Sequence, residues 1–126
     1  MSKKIATVHQ AVEACLATQA KLVERADHIL EARRTEHQQW ISKTAGRVAC
    51  LESQLSIFEG LENERHAAAT RTELAAAIEE HRCQVDGANR ALSFAVEDYF
   101  GALAAAAAQA HAEFKTNVAA LQAGAR

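Results

Sequence analysis

Residues 88–121 read ANRALSFAVEDYFGALAAAAAQAHAEFKTNVAAL. This stretch holds three of the four Phe, the only Tyr and an Ala-rich run from Ala102 to Ala110. Ala is the strongest helix former because helix formation costs it no side-chain entropy. It also buries little area, so an Ala-rich helix gains from packing only where its neighbour comes close. The rest of the chain reads as that neighbour. Ala11, Ala14, Ala17 and Ala20 form a matching line of small residues near the other end.

Composition points the same way. Thirty of the 126 residues are Ala, there is no Pro, and β-branched residues are never clustered as strands require. One all-α domain spanning residues 1–126 is the expectation. The formal charge is −2 with both signs interspersed, and Lys and Arg form no long block. Nucleic acid is therefore not an expected partner. No run of uninterrupted apolar residues approaches the roughly 18–20 needed to span a membrane, so no membrane partner is expected either. His9, Gln10 and Glu13 interrupt any signal-peptide core. Cys15, Cys50 and Cys83 are odd in number and far apart, which suits reduced thiols in a cytoplasmic protein. Each is expected to act as a small buried apolar residue.

Taken in order, Ser2 is an expected cap for a helix opening at Lys3. Apolar or small residues recur at Ile5, Val8, Val12, Cys15, Leu22, Ala26, Ile29 and Leu30, in alternating steps of three and four. That is heptad spacing. The phase slips near Ala26–Leu30, as at a stutter. It resumes through Ile41, Thr44, Val48, Leu51, Leu55 and Phe58. The polar stretch from Glu31 to Gln39 contains Thr35 and Gln38, a capping-box pair that would open a new helix. No Gly or Pro precedes it, so a continuous helix is preferred. Gly60 follows the last periodic residue, where a left-handed terminating residue is wanted, and residues 60–63 are the expected turn. Thr70 and Glu73 form another capping-box pattern. The second seam runs through Leu74, Ile78, His81, Val85, Ala88, Leu92, Ala95, Tyr99, Leu103, Ala106, Ala110, Phe114, Val118 and Leu121. Gly87 and Gly101 fall within this helix as a kink or a close helix contact, and Gly101 beside Ala102 suits contact.

The predicted fold is a long antiparallel helical hairpin, coiled-coil-like, with helices over 3–59 and 64–123, pairing into a four-helix assembly. Each helix would run about 85 Å at 1.5 Å per residue. The alternative is a compact monomeric four-helix bundle with breaks near Thr35 and near Gly87 or Gly101.

Chemistry-bearing motifs are sparse. No Glu is followed by His at the third position, as carboxylate-bridged bundles require. Glu24–His28 and Glu62–His66 are helical neighbours that read as solvated pairs. Glu79, Glu80, His81 and Cys83 make the densest group of metal-ligand types, but His81 faces away from the other three, and no four-ligand site forms without another helix. No catalytic, cofactor or metal residue is assigned. Arg33, Arg34 and His37, with Arg25 and Lys21 along the helix, read as a solvated face or a patch for an acidic partner. Trp40, Phe94, Tyr99 and Phe100 are the interface candidates, because Phe94 and Phe100 fall off the seam and a lone hairpin leaves them uncovered.

The function these features fit is a non-enzymatic interaction or structural protein acting as a homodimer or higher oligomer. Partners are copies of itself and, beyond those, another protein. Two alternatives are a small cytosolic chaperone or secretion-apparatus adaptor, and a four-helix metal or ligand carrier.

Overall fold

A computed structural model describes residues 5–124 and confirms the hairpin: two long helices that pack against each other. Helix α1 runs Val8–Gly60 and helix α2 runs Glu64–Gly124, with no strand among the described residues. Both helices are continuous through Thr35, Gly87 and Gly101, so the breaks required by the compact bundle do not occur within the chain. The described residues do not show an assembly of chains.

The helix ends differ from the expected ones. Ser2 and Lys3 lie outside the described residues, and residues 5–7 precede α1 without being helical. Thr7 caps α1: its Oγ1 accepts the backbone N–H of Gln10 at 3.1 Å. The Gln10 side chain reaches back to accept the Ala6 N–H at 2.7 Å. The first bond satisfies a first-turn N–H that the helix leaves free, and the second fixes the chain entering the helix.

At the turn, Gly60 remains helical and Glu62 takes the left-handed conformation, with φ of 56°. The Asn63 N–H reaches the Phe58 carbonyl at 2.9 Å and the Glu62 N–H reaches Glu59 at 3.1 Å. These are the paired bonds of a Schellman termination, in which the left-handed residue comes two positions later than Gly60. Asn63 then caps α2, its Oδ1 accepting the His66 N–H at 3.3 Å. Thr70 is not a cap. It lies inside α2, 6% exposed, and donates to the His66 carbonyl at 2.8 Å.

Contacts divide the chain into two units. The turn unit, Ala32–Phe94, carries regular three-four spacing on its α1 arm: His37, Ile41, Thr44, Val48, Leu51, Leu55 and Phe58 are all buried or half-buried. Ala67, Thr70, Leu74, Ala77 and His81 answer from α2. Ile78, expected in the seam, is 48% exposed, and Ala77 at 2% takes its place.

The terminal unit comprises residues 1–31 and 95–126. Its core is Ala11, Ala26, Ala106 and Ala110, none more than 7% exposed. The expected pairing of the two Ala-rich segments forms only in part: Ala11 is buried and Ala14 half-buried, but Ala17 and Ala20 are exposed, and it is Leu22, Ala26 and Ile29 that lie beside Ala102 and Ala106. Val8 and Val12 are 54% and 39% exposed, and Ile29 is 57% exposed. An Ala seam draws the backbones together, and Val12, one position from Ala11, is left on the shoulder. Gly101 does not mediate a helix contact: a Cβ built there meets nothing within 4 Å, and the same holds at Gly87.

Candidate interaction surface

The polar groups in the turn unit mostly satisfy one another. Thr44 Oγ1 lies 3.0 Å from the Ile41 carbonyl and 2.7 Å from His81 Nδ1. Assigning the hydroxyl proton to that carbonyl leaves the oxygen to accept from His81, which is then the Nδ1–H tautomer. Thr44 and His81 thereby form a closed polar layer in an otherwise apolar seam. Among the described residues no buried side-chain nitrogen or oxygen lacks a partner.

The densest group of ligand-type residues is dispersed by these pairings. Glu79 holds Arg82 through both carboxylate oxygens, and the Cys83 thiol donates to it at 3.9 Å. The Arg82 contacts hold the Glu79 carboxyl below its ordinary pKa. Glu80 faces Arg47 across the hairpin at 3.6 Å, and His81 turns inward to Thr44. Glu79 and Cys83 thus meet each other while Glu80 and His81 point elsewhere, and among the described residues no three His, Cys, Asp or Glu converge on a metal position. His66 engages Asn63 Oδ1 at 3.0 Å and leaves Glu62 to the turn. Arg71 bridges Glu59 and Glu64 at 3.3 and 2.9 Å, which lowers the Glu64 pKa and ties the two sides of the turn together.

The terminal unit has fewer cross-links. Thr18 donates to Glu113 at 3.0 Å. Tyr99, half-buried, donates its hydroxyl to Asp27 at 2.6 Å, and that bond raises its pKa above the ordinary tyrosine value. Beside them lies an open cleft of about 580 Å³ lined by Thr18, Lys21, Leu22, Glu24, Arg25 and His28 of α1. It mixes acid and base, and no deeply buried polar group points into it.

The four aromatic interface candidates separate into two kinds. Trp40, Phe94 and Phe100 are 50%, 66% and 63% exposed. Tyr99 instead belongs to the intrachain seam, through Asp27. Lys43 sits over the Trp40 ring at 5.3 Å, a cation–π contact that leaves most of the indole open. In the basic cluster His37 is half-buried on the seam, while Arg33 and Arg34 are exposed.

The thiols correct one expectation. Cys15 is half-buried, but Cys50 and Cys83 are exposed, so two of the three do not act as core residues. The heptad frame explains this, since neither falls on a seam position of its helix. The apolar-run expectation also needs amendment. One 18-residue window in α2 reaches a mean hydropathy of 1.2, enough by length and composition for a membrane span, with 6% of it buried. Ala supplies that hydropathy by number.

Comparison with protein-family models, curated proteins and solved structures finds no match.

Proposed function

We propose that this chain is a non-enzymatic helical protein that works through protein–protein contact, made first with further copies of itself. The observation that carries the reading is the distribution of large apolar side chains. Among the described residues no large side chain is fully buried, whereas Leu16, Ile29, Trp40, Ile57, Leu61, Phe94 and Phe100 are each at least half exposed. At about 25 cal/mol per Å², an uncovered aromatic forgoes some 2–3 kcal/mol of burial. That is a sizeable share of the stability of a small domain. Association recovers it, and a pair of hairpins gives each helix a second face to bury. The free thiols support a reducing, cytoplasmic setting.

Sedimentation equilibrium at micromolar concentration tests the proposal. A dimer or higher oligomer is expected, with a Tm that falls on dilution because folding and association are linked. Phe94→Glu and Phe100→Glu should each weaken assembly more than Phe114→Ala. A monomer whose Tm is independent of concentration overturns the reading.

A further inference from the structure

In the terminal unit, α2 turns Tyr99, Leu103, Ala106, Ala110 and Glu113 toward its neighbour. Half a helical turn away lies a second periodic line: Glu97, Gly101, Ala104, Ala108, His111 and Lys115. Their spacing is four, three, four, three, four, and all six are exposed. At 3.6 residues per turn they occupy one face, directed away from the intrachain seam. The line has the heptad spacing of a coiled-coil seam but no partner within the chain.

Read backwards, this face complements itself. An antiparallel coiled coil pairs the two heptad core positions of one helix with the opposite ones of the other. Glu97 then meets Lys115 of a second copy, Gly101 meets His111, and Ala104 meets Ala108, each layer occurring twice. We propose that this face is the contact between two copies of the chain, antiparallel about a two-fold axis at the level of Ala106. The inference rests on the homo-oligomer reading above and names the surface that serves it.

Several observations favour a second copy over any other occupant. The acid lies at one end and the base at the other, so only the antiparallel arrangement pairs unlike charges. A parallel arrangement sets Glu97 on Glu97 and Lys115 on Lys115. Among the described residues neither side chain has a hydrogen-bond or ion-pair partner within its own chain. Gly101 weakens a helix interior relative to Ala, and a Cβ there would meet nothing in its own chain. Opposite His111 of a second copy, the missing Cβ makes room for the ring. The Ala104–Ala108 layers allow the axes to approach toward the close end of helix packing, about 8 Å. Phe100, 63% exposed at the edge of this face, is then covered by the second helix.

Charge reversal tests both surface and orientation. Glu97→Lys sets Lys against Lys in both end layers, and Lys115→Glu sets Glu against Glu. Mixed together, the two variants form a heterodimer in which both end layers are again attractive. Sedimentation equilibrium on each variant and on their equimolar mixture, with helix content followed by circular dichroism, is the measurement. Each variant alone should associate about tenfold more weakly than the parent, and the mixture should regain the parent's Kd within about twofold. Restoration in the mixture also shows that both variant chains are folded. If the parent dimerises and the single variants associate equally tightly, or the mixture is no tighter than either alone, this surface is wrong while the homo-oligomer reading stands. A monomeric parent overturns both.

Discussion

The two units bury similar materials around different centres. The turn unit buries Leu51 with Ala67, Ala77 and Ala88, half-buries Leu55, Phe58 and Leu74, and spans its helices with Arg47–Glu80, Arg71–Glu59 and Thr44–His81. Among the described residues the terminal unit buries only Ala11, Ala26, Ala106 and Ala110, half-buries Leu22, Leu30, Leu103, Phe114 and Val118, and has Thr18–Glu113 and Tyr99–Asp27 as its polar ties. Large side chains gain stability by area, and a truncation there leaves a void. Ala gains by proximity, and an enlargement there forces the backbones apart. Both units leave large apolar side chains outside, Leu16, Ile29 and Phe100 in the terminal unit and Trp40, Ile57 and Phe94 in the turn unit.

The sharpest way to break this contrast is to shorten the largest core residue of the turn unit. Leu51 is 6% exposed. Leu51→Ala should cost about 2–3 kcal/mol, the lower part of the range for buried Leu, since a two-helix seam collapses more readily than a deep core. Chemical denaturation measures it, with Ser56→Ala, at an exposed position of the same helix, as the control expected within about 0.5 kcal/mol of the parent. Equal losses at both positions would mean that seam burial does not hold this unit. The reverse experiment belongs to the terminal unit. Ala110 is 1% exposed, and Ala110→Leu should destabilise by about 1–2 kcal/mol through overpacking despite adding apolar area. A gain in stability there would show that the Ala seam has room, and the contrast between units would dissolve.

A smaller effect separates the turn from both seams. Glu62 sits at φ of 56°, where a side chain is strained, and Gly60 is helical with open space around its missing Cβ. Glu62→Gly and Gly60→Ala should therefore each stabilise, by about 0.5–1 kcal/mol. Thermal denaturation of each variant is the check. A loss at Gly60→Ala would mean that Gly60 supplies the left-handed position after all.

The same residues show what was legible beforehand. Heptad spacing reveals the two helices, the lack of Gly or Pro gives the continuity through Thr35, and Gly60 gives the neighbourhood of the turn, whereas the opposition of the Ala-rich segments forms only in part, with Ala17 and Ala20 exposed. Heptad spacing misplaces individual side chains where hydrophobicity and position disagree. Ile78 is more apolar than Ala77, and Val8 and Val12 more apolar than Ala11, yet a close seam selects the residue that lets the backbones meet. The capping pattern is ambiguous for a related reason. Thr7 with Gln10 matches the capping pattern as well as Thr70 with Glu73 does, and only tertiary burial makes the second an interior residue. Gly60 marked the turn by composition, while the hydrogen bonds from Glu62 and Asn63 determine which residue becomes left-handed. Among the aromatic interface candidates, exposure of Phe94 and Phe100 follows from their heptad positions. The Asp27 partner that holds Tyr99 within the chain was not legible, since it depends on the register between residues far apart in sequence.

Tyr99 supplies the finest test of the terminal unit, because its bond to Asp27 is one of the few polar ties there. The hydroxyl donates to a carboxylate, so the bond favours the protonated phenol and raises its pKa. The sign of the pH dependence follows. A folded-state pKa above the unfolded value means that the contribution is fully present below about pH 10 and is lost as pH rises through the folded value. Tyr99 is the only tyrosine in the chain, so the ultraviolet signal of tyrosinate formation reports it alone. The midpoint should lie above the ordinary tyrosine value, and Asp27→Asn should bring it down toward that value by removing the charged acceptor. Tyr99→Phe should abolish the signal with only a slight change in Tm, because the pair is open to solvent and screened. A midpoint at the ordinary value that Asp27→Asn does not move would mean that this tie is not formed in solution. The terminal unit would then rest on its Ala contacts and Thr18–Glu113.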